Sequence, residues 1–177
     1  MTSNIKQIIK LLKQSVELLY ENDNYLLEHS IHEQDLSHRI AHYFENLLNN
    51  HEWYRKASLN IDVEYNKNFD DSKRVYSNCD NCTKNECYIK VFQYDIGNYK
   101  STCKPDIILH ERGSNNNNVL VVEIKKDQIE SNEDFAKLSA FTCSTSDYKY
   151  QCGVYVNIAD LSFRYFKNGQ EVAENDL

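Results

Sequence analysis

Hydrophobic residues recur along the chain in two distinct rhythms. Ile5, Ile8, Ile9, Leu12, Val16 and Leu19 follow helical spacing behind the polar start Thr2-Ser3-Asn4, which predicts an amphipathic helix over residues 4–21 that Asn22-Asp23-Asn24 ends. Leu36, Ile40, Phe44, Leu47 and Leu48 repeat that spacing. Ser30-Ile31-His32-Glu33 ahead of them has the form of a capping box, so a second helix is expected from Ser30 to about Asn50. The period then changes to two, with Leu59, Ile61, Val63 and Tyr65 alternating against Asn60, Asp62 and Glu64, as in a half-buried strand. A polar stretch over 66–86 interrupts. Further strands are predicted at 88–94, 105–110 and 119–125, the last two joined as a hairpin by Glu111-Arg112-Gly113-Ser114 and four consecutive Asn. A helix over 131–142, with Ser131 as N-cap and Asp134 three positions on, precedes strands at 152–158 and 161–166 and an Asn168-Gly169 turn.

Two helices, several strands, one helix and more strands amount to an α/β chain: a mixed sheet with helices on its faces and a helical segment at the N-terminus. At 177 residues, 41% hydrophobic and 27% charged, the chain fits one domain, with residues 1–28 as an N-terminal helix and 66–104 as a cysteine-bearing insertion. This composition excludes disordered and collagenous classes. Only four Gly and one Pro punctuate the sequence, so its 21 Asn must serve many turns. The longest aliphatic run is Val119 to Val122, and the N-terminus lacks an uncharged apolar block, so a cytoplasmic protein without membrane contact is expected. A net charge of −7 argues against holding nucleic acid by bulk electrostatics, but not against a site where bound cations bring a phosphate in.

The chemistry concentrates on the predicted hairpin. Pro105-Asp106 opens one strand, and Glu123-Ile124-Lys125 lies in the next. Glu123 and Lys125 are two apart and share one face of the strand, while Val122 and Ile124 take the other. Two carboxylates and an ammonium can therefore converge, with Asp106 and Glu123 as hard oxygen ligands for Mg²⁺ and Lys125 as a positive charge beside water or phosphate. The competing reading is a strand-end Asp plus an exposed Glu–Lys pair.

Pro105-Asp106, a gap of 16 residues and Glu123-Ile124-Lys125 resemble the motif of the PD-(D/E)XK nuclease superfamily. Asp106-Ile107-Ile108-Leu109-His110 and Val122-Glu123-Ile124-Lys125-Lys126 look especially like its small bacterial or phage-borne members. The resemblance implies a restriction-endonuclease-like core, with two acids on Mg²⁺ or Mn²⁺ and a lysine assisting the attacking water in phosphodiester hydrolysis, on DNA rather than RNA. Many members carry an acid on the helix before the first core strand. Glu33, inside the arc set by Leu36, Ile40, Phe44 and Leu47, is the candidate, either as a further metal ligand or as the capping-box Glu. His110 and Lys126 flank the motif as phosphate contacts or as solvated strand ends, and Glu64 reads as part of a solvated strand face.

Two other groups compete for attention. His38 and His42 lie opposite the apolar face of their helix and read as solvated. Cys79, Cys82, Cys87 and Cys103 could give four thiolates for structural Zn²⁺, with an iron–sulfur cluster or plain reduced thiols as the alternatives, whereas Cys143 and Cys152 read as core. The rival to a nuclease is a non-catalytic binding module that docks a protein partner through the cysteine segment. A second copy of the chain is a further candidate partner.

Overall fold

The computed structural model describes residues 5–29, 32–65, 104–127 and 131–177, with short strands at 67–68, 71–72, 74–76 and 100–102. The first apolar stripe forms α1 (Ile5–Asn22), which ends where Asn22-Asp23-Asn24 predicts, and a short α2 (Asn24–Glu28) follows. The N-terminal segment is thus two helices rather than one. At the break, the Asp23 carboxylate accepts from Arg39 Nε at 2.9 Å and from the Tyr43 hydroxyl at 2.6 Å, which fastens it to α3 (Glu33–Asn49). α4 (Glu52–Lys56), which the hydrophobic pattern did not indicate, leads into the sheet.

Six strands form a mixed sheet in the order β1-β6-β7-β8-β9-β10. They are β1 (Asn60–Val63), β6 (Ile107–His110), β7 (Asn118–Lys125), β8 (Cys152–Asn157), β9 (Ser162–Lys167) and β10 (Gln170–Val172). The short pairs β2 (Lys67–Asn68) with β3 (Asp71–Ser72) and β4 (Arg74–Tyr76) with β5 (Lys100–Thr102) stand apart from it. The expected hairpin is present, with Ile107 opposite Val122 and Leu109 opposite Leu120. β7 and β8 are parallel, and the crossover that such a pair needs is α5 (Asn132–Thr142). The Asn168-Gly169 turn, with φ of +52° and +80°, joins β9 to β10, a strand too short to show in the sequence pattern.

Helices cover both faces of the sheet. Ile8, Leu12, Val16 and Leu19 of α1 and Leu36, Ile40, Phe44 and Leu48 of α3 pack on Leu109, Leu120, Val122, Ile124, Val154 and Val156. On the other face, Phe135, Leu138 and Phe141 of α5 pack on Ile108, Val121, Tyr155 and Phe166. Covering both faces explains why β6 and most of β7 are buried without alternation. α5 sits close because Gly153 has no side chain: a Cβ there would stand 3.1 Å from Thr142 Cγ2 and 3.3 Å from Leu138 Cδ2. No helix among the described residues is long and apolar enough to cross a membrane.

Candidate active site

β1, β6 and β7 bring the two halves of the hairpin motif together. Asp106 immediately precedes β6, and its backbone carbonyl accepts from the N–H of Glu64, which turns the chain out of β1 with a left-handed φ of +49°. Glu64 therefore ends the strand instead of continuing its solvated face. The Asp106 carboxylate accepts from the Ile124 N–H at 2.6 Å. Because Ile124 lies between Glu123 and Lys125, that one bond sets the acid of the first half beside both candidate residues of the second.

Glu123 is 3% exposed, and its Oε1 is buried with no hydrogen-bond partner among the described residues. The exposed Glu–Lys pair of the competing reading is thereby excluded. Burial drives the Glu123 carboxyl well above the usual carboxylate range; the nearby Asp106 and Asp134 charges add to this, against the pull of Lys137 and Lys125. Burial likewise pushes Asp106 up to about 6, reinforced by Asp134 and Glu33 and opposed by the Ile124 N–H and Lys125. Neither acid is comfortable as an anion in this state.

Lys125 lies 3.0 Å from Glu33 Oε2 and 3.3 Å from Asp134 Oδ2. Burial lowers its affinity for the proton, but these acids outweigh burial, and the ammonium is held above its ordinary range. Glu33 is the first residue of α3, not its third turn-closing position, and its Oε1 also accepts from the Lys126 N–H at 3.3 Å. Its carboxylate is drawn to the strand end by Lys125, so the capping-box assignment is corrected here; Ser30 lies outside the described residues. The end of β7 is itself pinned, since Ile158 N–H donates to the Lys125 carbonyl at 2.6 Å and Asn157 Nδ2 to the Asp127 carbonyl at 3.0 Å.

α5 adds two residues that the hairpin motif does not contain. Asp134 is 3% exposed, and Lys137 Nζ lies 2.8 Å from Asp134 Oδ1 and 4.0 Å from Glu123 Oε2. Burial raises the Asp134 carboxyl, but the Lys137 hydrogen bond and charge outweigh it and hold it below its ordinary range. The sequence carried a signal for Asp134: it stands four and seven positions before Leu138 and Phe141, on the face that packs on the sheet. The Ser131 cap conceals it, because Asp134 N–H donates to Ser131 Oγ and its place at N3 reads as capping alone.

Comparison with family models, with curated proteins and with solved structures finds no match. The chemistry of the site therefore rests on its own geometry. Among the described residues, no three of the His, Cys, Asp and Glu side chains are arranged to hold a metal ion. Cys79, Cys82, Cys87 and Cys103 and the strand expected at 88–94 lie outside the described residues; of the insertion at 66–104, only the short strands at 67–68, 71–72, 74–76 and 100–102 and residue 104 are described.

The remaining candidates have structural roles. His110 is not a solvated strand end: it is 3% exposed, its Nε2 lies 2.9 Å from Asp62 Oδ2, and its ring packs against Tyr65 with centroids 4.9 Å apart. Asp62 also receives Arg112 through Nε and Nη2. Burial pushes the Asp62 carboxyl up, but the bonds from Arg112 and His110 outweigh it and hold it at about 2. His38 and His42 are exposed on α3, as their helical positions predict, while Cys143 and Cys152 are buried.

Proposed function

We propose that this protein is a metal-dependent nuclease with a restriction-endonuclease-like core, hydrolysing phosphodiester bonds of nucleic acid and of DNA before RNA. The observation that carries this reading is the convergence of Asp106, Glu123 and Lys125 at one end of β7, with Glu33 reaching in from α3 and a Glu123 oxygen buried without a donor among the described residues. A purely structural cluster has no use for that last oxygen, since a buried unsatisfied acceptor costs stability.

The donor set fits Mg²⁺ or Mn²⁺. Both are hard cations for carboxylate oxygen, and Mg²⁺ commonly takes only one or two protein carboxylates and fills its remaining positions with water and substrate phosphate, so a preformed cage of three acids is not required. Asp106 and Glu123 would hold the ion, with Glu33 as a further ligand. When bound, the cation supplies Lewis acidity toward water and offsets charge on the phosphate. The chain's own residues do the rest. The Ile124 N–H orients Asp106 toward Glu123, and Glu33 and Asp134 keep Lys125 protonated, so it serves as a fixed cation toward the attacking water or a phosphate oxygen rather than as a base. The acidic chain, at −7, suits a substrate grip that depends on the cation.

The test is incubation of the purified protein with single- and double-stranded DNA and RNA in Mg²⁺, in Mn²⁺ and in EDTA, with Glu123→Gln as the control. Cleavage that needs the divalent cation and is lost in Glu123→Gln supports the reading. Equal cleavage by wild type and Glu123→Gln points to a contaminant and refutes it.

A further inference from the structure

Lys125 is occupied by Glu33 and Asp134, and among the described residues the cation that reaches Glu123 comes from α5. That charge is Lys137, whose Nζ lies 2.8 Å from Asp134 Oδ1 and 3.7 Å from Glu133 Oε1. At 4.0 Å from Glu123 Oε2 it is too far for a hydrogen bond but close enough for its charge to be felt, while Glu123 Oε1 has no donor among the described residues. The cation beside Glu123 thus sits on another element and on a flexible stem.

A divalent ion bound to Asp106 and Glu123 would meet that ammonium across a single carboxylate. Like charges repel in a partly buried site, so a bound divalent ion would favour withdrawal of the ammonium from Glu123. Its surroundings allow this. Its side chain is 26% exposed, and Glu133, the outer of its two neighbours on α5, is 82% exposed, so withdrawal carries the ammonium toward Glu133 and solvent. A nucleic-acid phosphate would enter from solvent, where a partly exposed ammonium can meet it. Asp134, buried and within reach of both ammoniums, keeps each of them beside the site.

We propose that Lys137 is a second functional cation of this site, lying beside Glu123 when no metal is bound and contacting a substrate phosphate oxygen when a divalent cation has taken Glu123 over, with Asp134 as its positioning residue. This rests on the nuclease reading above. It differs from a plain α5 ion pair in requiring opposite effects on two ligands: Lys137 opposes the metal and favours the nucleic acid.

The experiment uses the full chain as wild type, Lys137→Gln and Lys137→Arg. Calorimetric titration with Mn²⁺ alone, without nucleic acid, should show about threefold tighter binding in Lys137→Gln than in wild type, and little change in Lys137→Arg. Binding of a short duplex DNA in Ca²⁺, together with KM in Mn²⁺, should weaken about tenfold in Lys137→Gln and be largely restored in Lys137→Arg, with the salt slope of DNA binding smaller by about one. Unchanged Mn²⁺ and DNA affinities in Lys137→Gln, in a protein whose wild type binds Mn²⁺ and cleaves, overturn the proposal and leave the nuclease reading standing. A folded wild type that binds no Mn²⁺ and cleaves nothing overturns both. If Lys137→Gln fails to fold, Lys137→Arg decides: a planar guanidinium that keeps the charge must preserve DNA affinity, and a tenfold loss with unchanged Mn²⁺ affinity contradicts the phosphate contact.

Discussion

The Ile124 N–H donates to Asp106 Oδ2 at 2.6 Å, and this bond joins the two halves of a motif separated by 16 residues of sequence. It uses the one backbone donor lying between Glu123 and Lys125. The carboxylate that receives it is nonetheless pushed up to about 6, because burial and the Asp134 and Glu33 charges outweigh the bond.

A first prediction follows for stability. A carboxyl whose folded pKa is raised favours folding below its unfolded value near 4, and that contribution is lost as pH rises through about 6. Asp106→Asn should therefore stabilise the metal-free protein at pH 7 by about 1–3 kcal/mol and make little difference near pH 3. Urea unfolding in EDTA at the two pH values checks this, and a variant less stable than wild type at pH 7 would contradict it.

Metal binding should show the opposite pH trend. Mn²⁺ affinity of the wild type is expected to rise as pH is raised from 5 to 7, because Asp106 and Glu123 must lose protons that burial makes them keep. Titrations at fixed ionic strength read this directly. An affinity flat over that interval would separate the metal from these two acids.

Asp62 gives a control with the reverse sign. Its carboxyl is held at about 2, so its contribution to stability is present above pH 4 and is lost as pH falls through about 2. With the Arg112 side chain 56% exposed, solvent screening limits Asp62→Asn to a loss of about 1–2 kcal/mol at pH 7. Metal-dependent cleavage should survive wherever the protein remains folded, and loss of cleavage without loss of fold would place this cluster in the site.

The cysteines are tested by composition. If Cys79, Cys82, Cys87 and Cys103 hold structural zinc, the purified protein carries about one Zn²⁺ per chain, because thiolate sites of this kind survive purification. Cys82→Ser should then release it, while Cys143→Ser, at a buried position beside Thr145, should not. Zinc-free wild-type protein prepared without chelator would remove the zinc assignment.

What could be read from the sequence was what depends on periodicity and local chemistry. The stripes of α1 and α3, the hairpin carrying Asp106, Glu123 and Lys125, the Ser131 cap and the Asn168-Gly169 turn all follow from rules that act within a few residues. The rest depends on long-range charge. Glu33 fits a capping box until Lys125, 92 positions away, is brought beside it, and His110 looks solvated until Asp62 on the neighbouring strand reaches it. Asp134 was visible as an N3 residue, but its contact with Lys125 depends on α5 crossing from β7 to β8 over Gly153.

The single-turnover rate of Mn²⁺-dependent DNA cleavage in wild type and in Lys125→Ala, each shown to be folded, decides whether this site is a nuclease. Wild type should cleave, with cleavage abolished by EDTA, and Lys125→Ala should lose about a hundredfold or more, as expected when a fixed cation facing the reacting phosphate is removed. Full activity in Lys125→Ala, or no cleavage of DNA or RNA by Mn²⁺-loaded wild type, would contradict the nuclease reading.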